Sequence, residues 1–140
     1  MSASAMIDGI LTNLNSSSVL GASGASTDYF VLETTSACCA VVGWQNIEYR
    51  PITFGTDGGT THTILVEGFI RDNNDPVKLM RDSAGFADLV VNSLGSDDTL
   101  QGSIDIVQRV FARKNAGEVV SAGGLTWMPI YVEIDGFEFN

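Results

Sequence analysis

Apolar positions recur along this chain with different periods, and each period predicts a different element. From Ala3 to Leu14 the residues Met6, Ile7, Ile10, Leu11 and Leu14 fall three or four apart, the spacing that makes one stripe on a helix. Asn15 then opens a run of small residues, NSSSVLGASGASTD, reaching Asp28; its Gly and Ser content predicts a flexible loop. Ala37 to Trp44 is an unbroken apolar run that suits a strand covered on both faces. It leads to Arg50 and Pro51, and extended backbone before a proline predicts a strand end there. GTDGGT, Gly55 to Thr60, supplies hairpin-turn residues, and THTILVEGFIR, Thr61 to Arg71, predicts the returning antiparallel strand.

Asp75-Pro76 is the clearest helix start, a capping acid followed by a proline at the first helical position. Val77, Met80, Ala84, Ala87, Val91 and Leu94 follow at spacings of three and four, which predicts a stripe packed on the sheet, and Gly95 stands where a capping glycine belongs. At 1.5 Å per residue such a helix spans roughly 28 Å. The next stretch, SDDTLQGSIDIVQRVFARK from Ser96 to Lys114, ends on three of the chain's seven cations. Its period of two predicts Ile104, Ile106, Val110 and Ala112 on one strand face and Asp105, Arg109 and Arg113 on the other. NAGEVVSAGG reads as a turn region. TWMPIYVEID then alternates, with Met128, Ile130, Val132 and Ile134 inward and Tyr131, Glu133 and Asp135 outward. Gly136 is expected to break that alternation ahead of Phe137 and Phe139. The order of elements predicts an α+β fold: a single domain with a mostly antiparallel sheet of about four strands, packed with one long and one short helix.

Composition narrows the function classes. A chain of 140 residues can bury about 68–70% of its unfolded surface and needs neither metal nor disulfides to fold. Its net charge is −10, with no Lys or Arg before Arg50. Such a surface neither neutralises nucleic-acid phosphates nor settles on an anionic membrane. No apolar run approaches the ~20 residues of a membrane span, and the first residues lack the n- and h-regions of a signal peptide. The expectation is a protein assembled in the cytoplasm.

Candidate chemistry lacks partners. Cys38 and Cys39 are adjacent, so on a strand they point to opposite faces; a zinc site would need further Cys or His. Two small core residues is the simpler expectation. His62, the only histidine, stands among β-formers with no nucleophile-elbow pattern in the chain. GTDGGT and SAGG lack the Lys-Ser/Thr of a phosphate loop. Asp72-Asn73-Asn74-Asp75 begins like a calcium loop, but Pro76 takes a ligand position and the later Gly and Glu are missing. Asp97 and Asp98 have no acidic partner at a catalytic spacing. No cofactor, metal or catalytic residue is expected. The stretch from Ser96 to Lys114 reads as a joint.

The layout as a whole is distinctive. A short helix, a strand ending near YRPITFG, the strand THTILVEGFIRD, the Pro-capped helix DPVKLMRDSAGFADLVVNSL, then TLQGSIDIVQRVFARK and WMPIYVEIDGFEF follow in order. This resembles the small tail terminator (tail completion) proteins of long-tailed bacteriophages, of the lambda type. The resemblance spans nearly the whole chain, and its most specific pieces are Thr99-Leu100-Gln101-Gly102 and the strand from Trp127 to Ile134. It implies a non-enzymatic virion protein without cofactor: a ring, typically of six subunits, capping the tail tube and meeting the head-tail connector. Genome DNA would pass through its channel without specific binding, as an acidic wall permits. Under the resemblance the candidate contacts between subunits or partners are Arg109, Arg113, Phe137 and Phe139. The alternative for the arginines is pairing within their own sheet, with Asp105, Glu133 or Asp135. Two other functions stay open: another neck, head-completion or tube subunit, and a small enzyme or ligand-binding domain.

Overall fold

A computed structural model describes residues 2–16, 25–26, 38–52 and 58–139. Ser2 accepts the Ala5 N–H through its hydroxyl and opens α1, Ala3–Ser16. The stripe Met6, Ile10 and Leu14 is fully buried, with Ile7 and Leu11 packed beside it. The helix thus runs two residues beyond its last apolar position. Of the small-residue loop expected from Asn15 to Asp28, Ala25–Ser26 instead forms a two-residue strand, β1, parallel to β2. The rest of that stretch beyond Ser16, and the first half of GTDGGT, lie outside the described residues.

The four long strands are β2 (Cys38–Arg50), β3 (Gly59–Arg71), β4 (Ile106–Arg113) and β6 (Leu125–Phe139), and the short β5 is Val120–Ala122. The order is β1-β2-β3-β6-β4, and β5 also pairs with β6. Every pairing except β1 with β2 is antiparallel. The fold is therefore α+β. The turn region predicted at NAGEVVSAGG holds β5, which folds back onto the start of β6. Pro129 lies on β6 between the stretches paired by β5, up to Trp127, and by β4, from Tyr131. Its missing N–H interrupts neither ladder there.

Both helices cover one face of the sheet. Ala40, Val42, Ile64, Val66, Ile130, Val132 and Ile134 meet Met6, Ile10, Leu14, Phe86, Val90 and Leu94 in one buried cluster. The outer face is covered only in part, where Cys39, Val41, Phe69 and Trp127 bury one another under β5. The run read as a strand buried on both sides is buried only from Cys39 to Val42; Gly43 to Arg50 is exposed throughout. Cys38 and Cys39 do point to opposite faces, and neither is in a disulfide. Burial raises the Cys38 thiol pKa, and burial together with the neighbouring Cys38 pushes Cys39 up to about 11. Since the thiolate is the reactive species, a thiol reagent at pH 8 should label the native protein far more slowly than the denatured one. Equal rates in the two states would contradict a buried pair.

α2 is Pro76–Gly95. Asp75 caps it by accepting the Lys78 N–H at 3.1 Å, and the carboxylate of Asp72 and the side-chain oxygen of Asn73 accept the N–H groups of Asn74 and Asp75. Its buried face is the predicted one only in part. Leu79, Ser83, Phe86, Val90 and Leu94 are buried, whereas Val77, Met80 and Ala84 are exposed, and Ala87 and Val91 are half-buried. Gly95 is not a left-handed cap either; the helix closes on Ser96 in right-handed backbone, its N–H bonding the Asn92 carbonyl.

The left-handed residues come later, at Leu100 (φ 44°), Gln101 (φ 61°) and Gly102 (φ 80°). Burial of the Leu100 side chain and the carboxylate of Asp97 hold this turn. Burial raises the Asp97 pKa, but hydrogen bonds from the Gln101 side chain and backbone and from Asn13 outweigh it and leave the group below its ordinary value. Asn13 also donates to the Ser93 carbonyl and accepts from the Ser93 hydroxyl, tying α1 to α2. α1 presses so close that a Cβ on Gly9 would lie 2.3 Å from the Leu100 carbonyl oxygen. The stretch is a joint within the chain itself.

Two bulges reset the strand faces. On β4 the register slips between Val107 and Arg109. Val107, Val110 and Ala112 therefore face the core, while Ile106, predicted to face inward, lies opposite Phe137 on the outer face and is exposed. On β2 it slips between Trp44 and Asn46. β6 does not break at Gly136: the glycine stays on the inner face, where a Cβ would collide with Ile104 and Met6, and the ladder with β3 continues to Phe139.

Candidate subunit interface

The four candidate contact residues share the outer face of neighbouring strands. Arg109 lies opposite Asp135 across β4 and β6, and its Nε donates to the Asp135 carboxylate at 3.2 Å. Its guanidinium also stacks 4.4 Å from the centre of the Phe111 ring. Arg113 sits 3.8 Å from the Glu133 carboxylate and over Tyr131, at 4.8 Å. Tyr131 in turn donates to Glu118; that bond holds Glu118 below its usual range and, with burial, pushes the Tyr131 pKa up to about 12. Asp135 accepts a second bond from Thr63 at 2.7 Å. The arginines thus form the in-sheet pairs that the alternative to a subunit contact describes. Both are exposed, so each pair is worth about 0–1 kcal/mol, and Arg113 donates in addition to the Asn115 side-chain oxygen at 3.4 Å.

Phe137 and Phe139 stack edge to face, with centroids 5.0 Å apart. Phe137 is half-buried and Phe139 exposed. With Ile106 they make a small apolar patch at the end of the same face. Asp105 ties its rim, accepting the Phe139 N–H at 2.7 Å.

Larger apolar surface lies elsewhere, at positions the sequence did not single out. The β2 register places Trp44, Ile47 and Tyr49 opposite Ile64, His62 and Thr60, all on the helix side of the sheet, yet beyond the cover of the helices. Residues three apart on a flat strand face opposite ways; the bulge at Gln45 brings Trp44 and Ile47 together. Across the sheet, the α2 residues Met80, Ala84, Ala87 and Val91 flank β4 and line two grooves of about 190 and 470 Å³.

His62 is buried on the inner face, its Nε2 3.5 Å from the Glu138 carboxylate, and neither ring nitrogen has a hydrogen-bond partner. No serine hydroxyl or cysteine thiol among the described residues hydrogen-bonds to it. Among the described residues no group of three or more His, Cys, Asp or Glu side chains could hold a metal ion. No helix there is long and apolar enough to cross a membrane. The two grooves are open troughs between an edge strand and a helix. Searched against known families and curated proteins, the chain matches no family model and no curated sequence.

Proposed function

We propose that this protein is a structural subunit of a long-tailed phage particle, a tail terminator that forms a ring on the finished tail tube and joins it to the head connector. The observation that carries the proposal is the order of elements in an α+β fold: a short helix, two long antiparallel strands, a Pro-capped helix, the TLQG turn, an edge strand and a long final strand. That order is the one through which the sequence resembles the terminators. Two further features support it. Large apolar side chains stand exposed at the sheet edge and along α2, as expected of a protein whose surface is completed by assembly. A net charge of −10 suits a wall past which DNA slides without sticking.

In this proposal the protein has no enzymatic activity. Its partners are copies of itself, the tube protein and the connector, and its place is the tail or neck of the virion after assembly in the host cytoplasm. Native mass spectrometry with negative-stain microscopy of the purified protein tests it. A closed ring of about six subunits that binds the ends of tail tubes is the expected result. A monomer at every concentration, with and without tubes, or turnover of a small substrate, would overturn it.

A further inference from the structure

Among the described residues the sheet ends at β4 on one side and, beyond the two-residue β1 paired at Ala40 and Val41, at β2 on the other. Each of these edges leaves apolar surface bare on the helix side. At the β2 edge the surface projects: Trp44, Ile47 and Tyr49 are 63%, 49% and 64% exposed. At the β4 edge it is hollow, in the two grooves between β4 and α2. Val91 and Val110 line the larger, and Met80, Ala84, Ala87 and Ala112 line the smaller. Small side chains on the hollow side make room for the large ones on the other.

We infer that the β2 edge of one copy docks into the α2–β4 groove of the next, head to tail. The inference rests on the proposed ring and supplies its contact surface. Two observations make the occupant a second copy of this chain. Both halves of the contact lie on one chain, at opposite edges of one sheet, so each docking event presents a fresh edge; repeated contacts of this kind close into a ring or grow into a filament. The second is charge. Arg109, Arg113 and Lys114, three of seven cations in a chain of net charge −10, rim the grooves. Exposed cations there lessen the repulsion that two copies of net charge −10 would otherwise meet.

Side chains carry the contact. Both edge strands are interrupted by a bulge, at Gln45 and at Gln108, and bulged edges do not extend a hydrogen-bonded ladder smoothly. Trp44 and Tyr49 are the residue types that anchor interfaces when buried by a partner. The arrangement also gives a role to Met80 and Ala84, which belong to the predicted core stripe of α2 but stand exposed.

Two variants test this, one per surface: Ile47→Glu with Tyr49→Glu on the edge, and Ala84→Arg in the groove. All three positions are exposed, so each variant should keep the wild-type circular dichroism spectrum. Native mass spectrometry of wild type should show the ring, and each variant alone should be monomeric. An equimolar mixture of the two should form a one-to-one heterodimer, because the edge variant retains a groove and the groove variant retains an edge. If Ala84→Arg fails to fold, Met80→Glu in the same groove replaces it. Rings that survive either variant would overturn the inference while leaving the ring itself standing. Folded monomers that do not form heterodimers on mixing would overturn the head-to-tail pairing. A wild type that never assembles would overturn both the inference and the ring.

Discussion

Replacing Phe86 with alanine should destabilise the fold by about 3–5 kcal/mol, the usual loss for a buried phenylalanine. Against a total of about 5–15 kcal/mol for a native domain, that brings the protein close to unfolding. Phe86 is 5% exposed, and its ring rests on the backbone of Gly68 in the middle of β3: a Cβ there would lie 2.2 Å from the ring edge. The two positions are therefore coupled. Gly68→Ala alone should be destabilising, since the added methyl can be placed only by displacing the Phe86 ring from the strand. In the Phe86→Ala background the same methyl enters the vacated volume and should be tolerated. Urea unfolding of both single variants and the double variant gives the coupling directly. Additive losses, within about 0.5 kcal/mol, would mean that the ring does not sit on Gly68.

Trp127→Ala should cost a similar amount, about 3–5 kcal/mol, for a different reason. Trp127 is fully buried, but on the outer face, where Cys39, Val41 and Phe69 are its neighbours and its indole N–H donates to the Ala122 carbonyl at 3.2 Å. It is the pin that folds β5 back over the sheet. Removing it uncovers that whole cluster and leaves the Cys39 thiol open to reagent. Thus a loss of stability and faster native thiol labelling should appear together. Trp127→Phe keeps most of the volume and loses the hydrogen bond, typically about 0.5–1.5 kcal/mol, so it should fall well short of the alanine variant. An alanine variant within about 1 kcal/mol of wild type would show that the outer cluster is peripheral to folding.

Much of the fold was legible because several signals agreed at the same place. α1 combined spacing with buried bulk, Asp75-Pro76 combined a cap with a preset φ, and β6 alternated over its length. The buried face of the long helix was legible only in part, at Leu94 and the half-buried Ala87 and Val91, because the helix carries two apolar stripes. Met80, Ala84, Ala87 and Val91 keep a cleaner spacing than Leu79, Ser83, Phe86 and Val90, since a serine interrupts the true core face. Ser83 is tolerated there because its hydroxyl donates to the Met80 carbonyl within the same helix, a bond that no pattern of polarity reveals. Ile106 was misplaced for another reason: a bulge inverts strand parity, and nothing about Gln108 as a residue type announces one. The in-sheet arginine partners, Asp135 and Glu133, could be named from alternation alone. The apolar surface at Trp44, Ile47 and Tyr49 could not, because its irregular spacing makes a single face only once the bulge at Gln45 is known.

The position of β6 governs when this chain can fold. It is the last strand in chain order, yet it lies between β3 and β4, pairing with β3 from Trp127 to Phe139 and with β4 from Tyr131 to Phe137. The β2–β3 hairpin can form early from neighbouring residues. The β4 edge has no other strand to pair with among the described residues until Leu125 to Phe139 arrives. Until then a growing chain holds two open ladders and a half-covered core, the condition in which nascent proteins aggregate or wait on chaperones. Joining β3 to β6 also closes a long loop through α2 and β4, which slows the step relative to local helix pairing. A fragment ending at Gly124 should therefore remain unfolded, whereas a separate peptide of Leu125 to Phe139, added in excess, should restore strand signal to it.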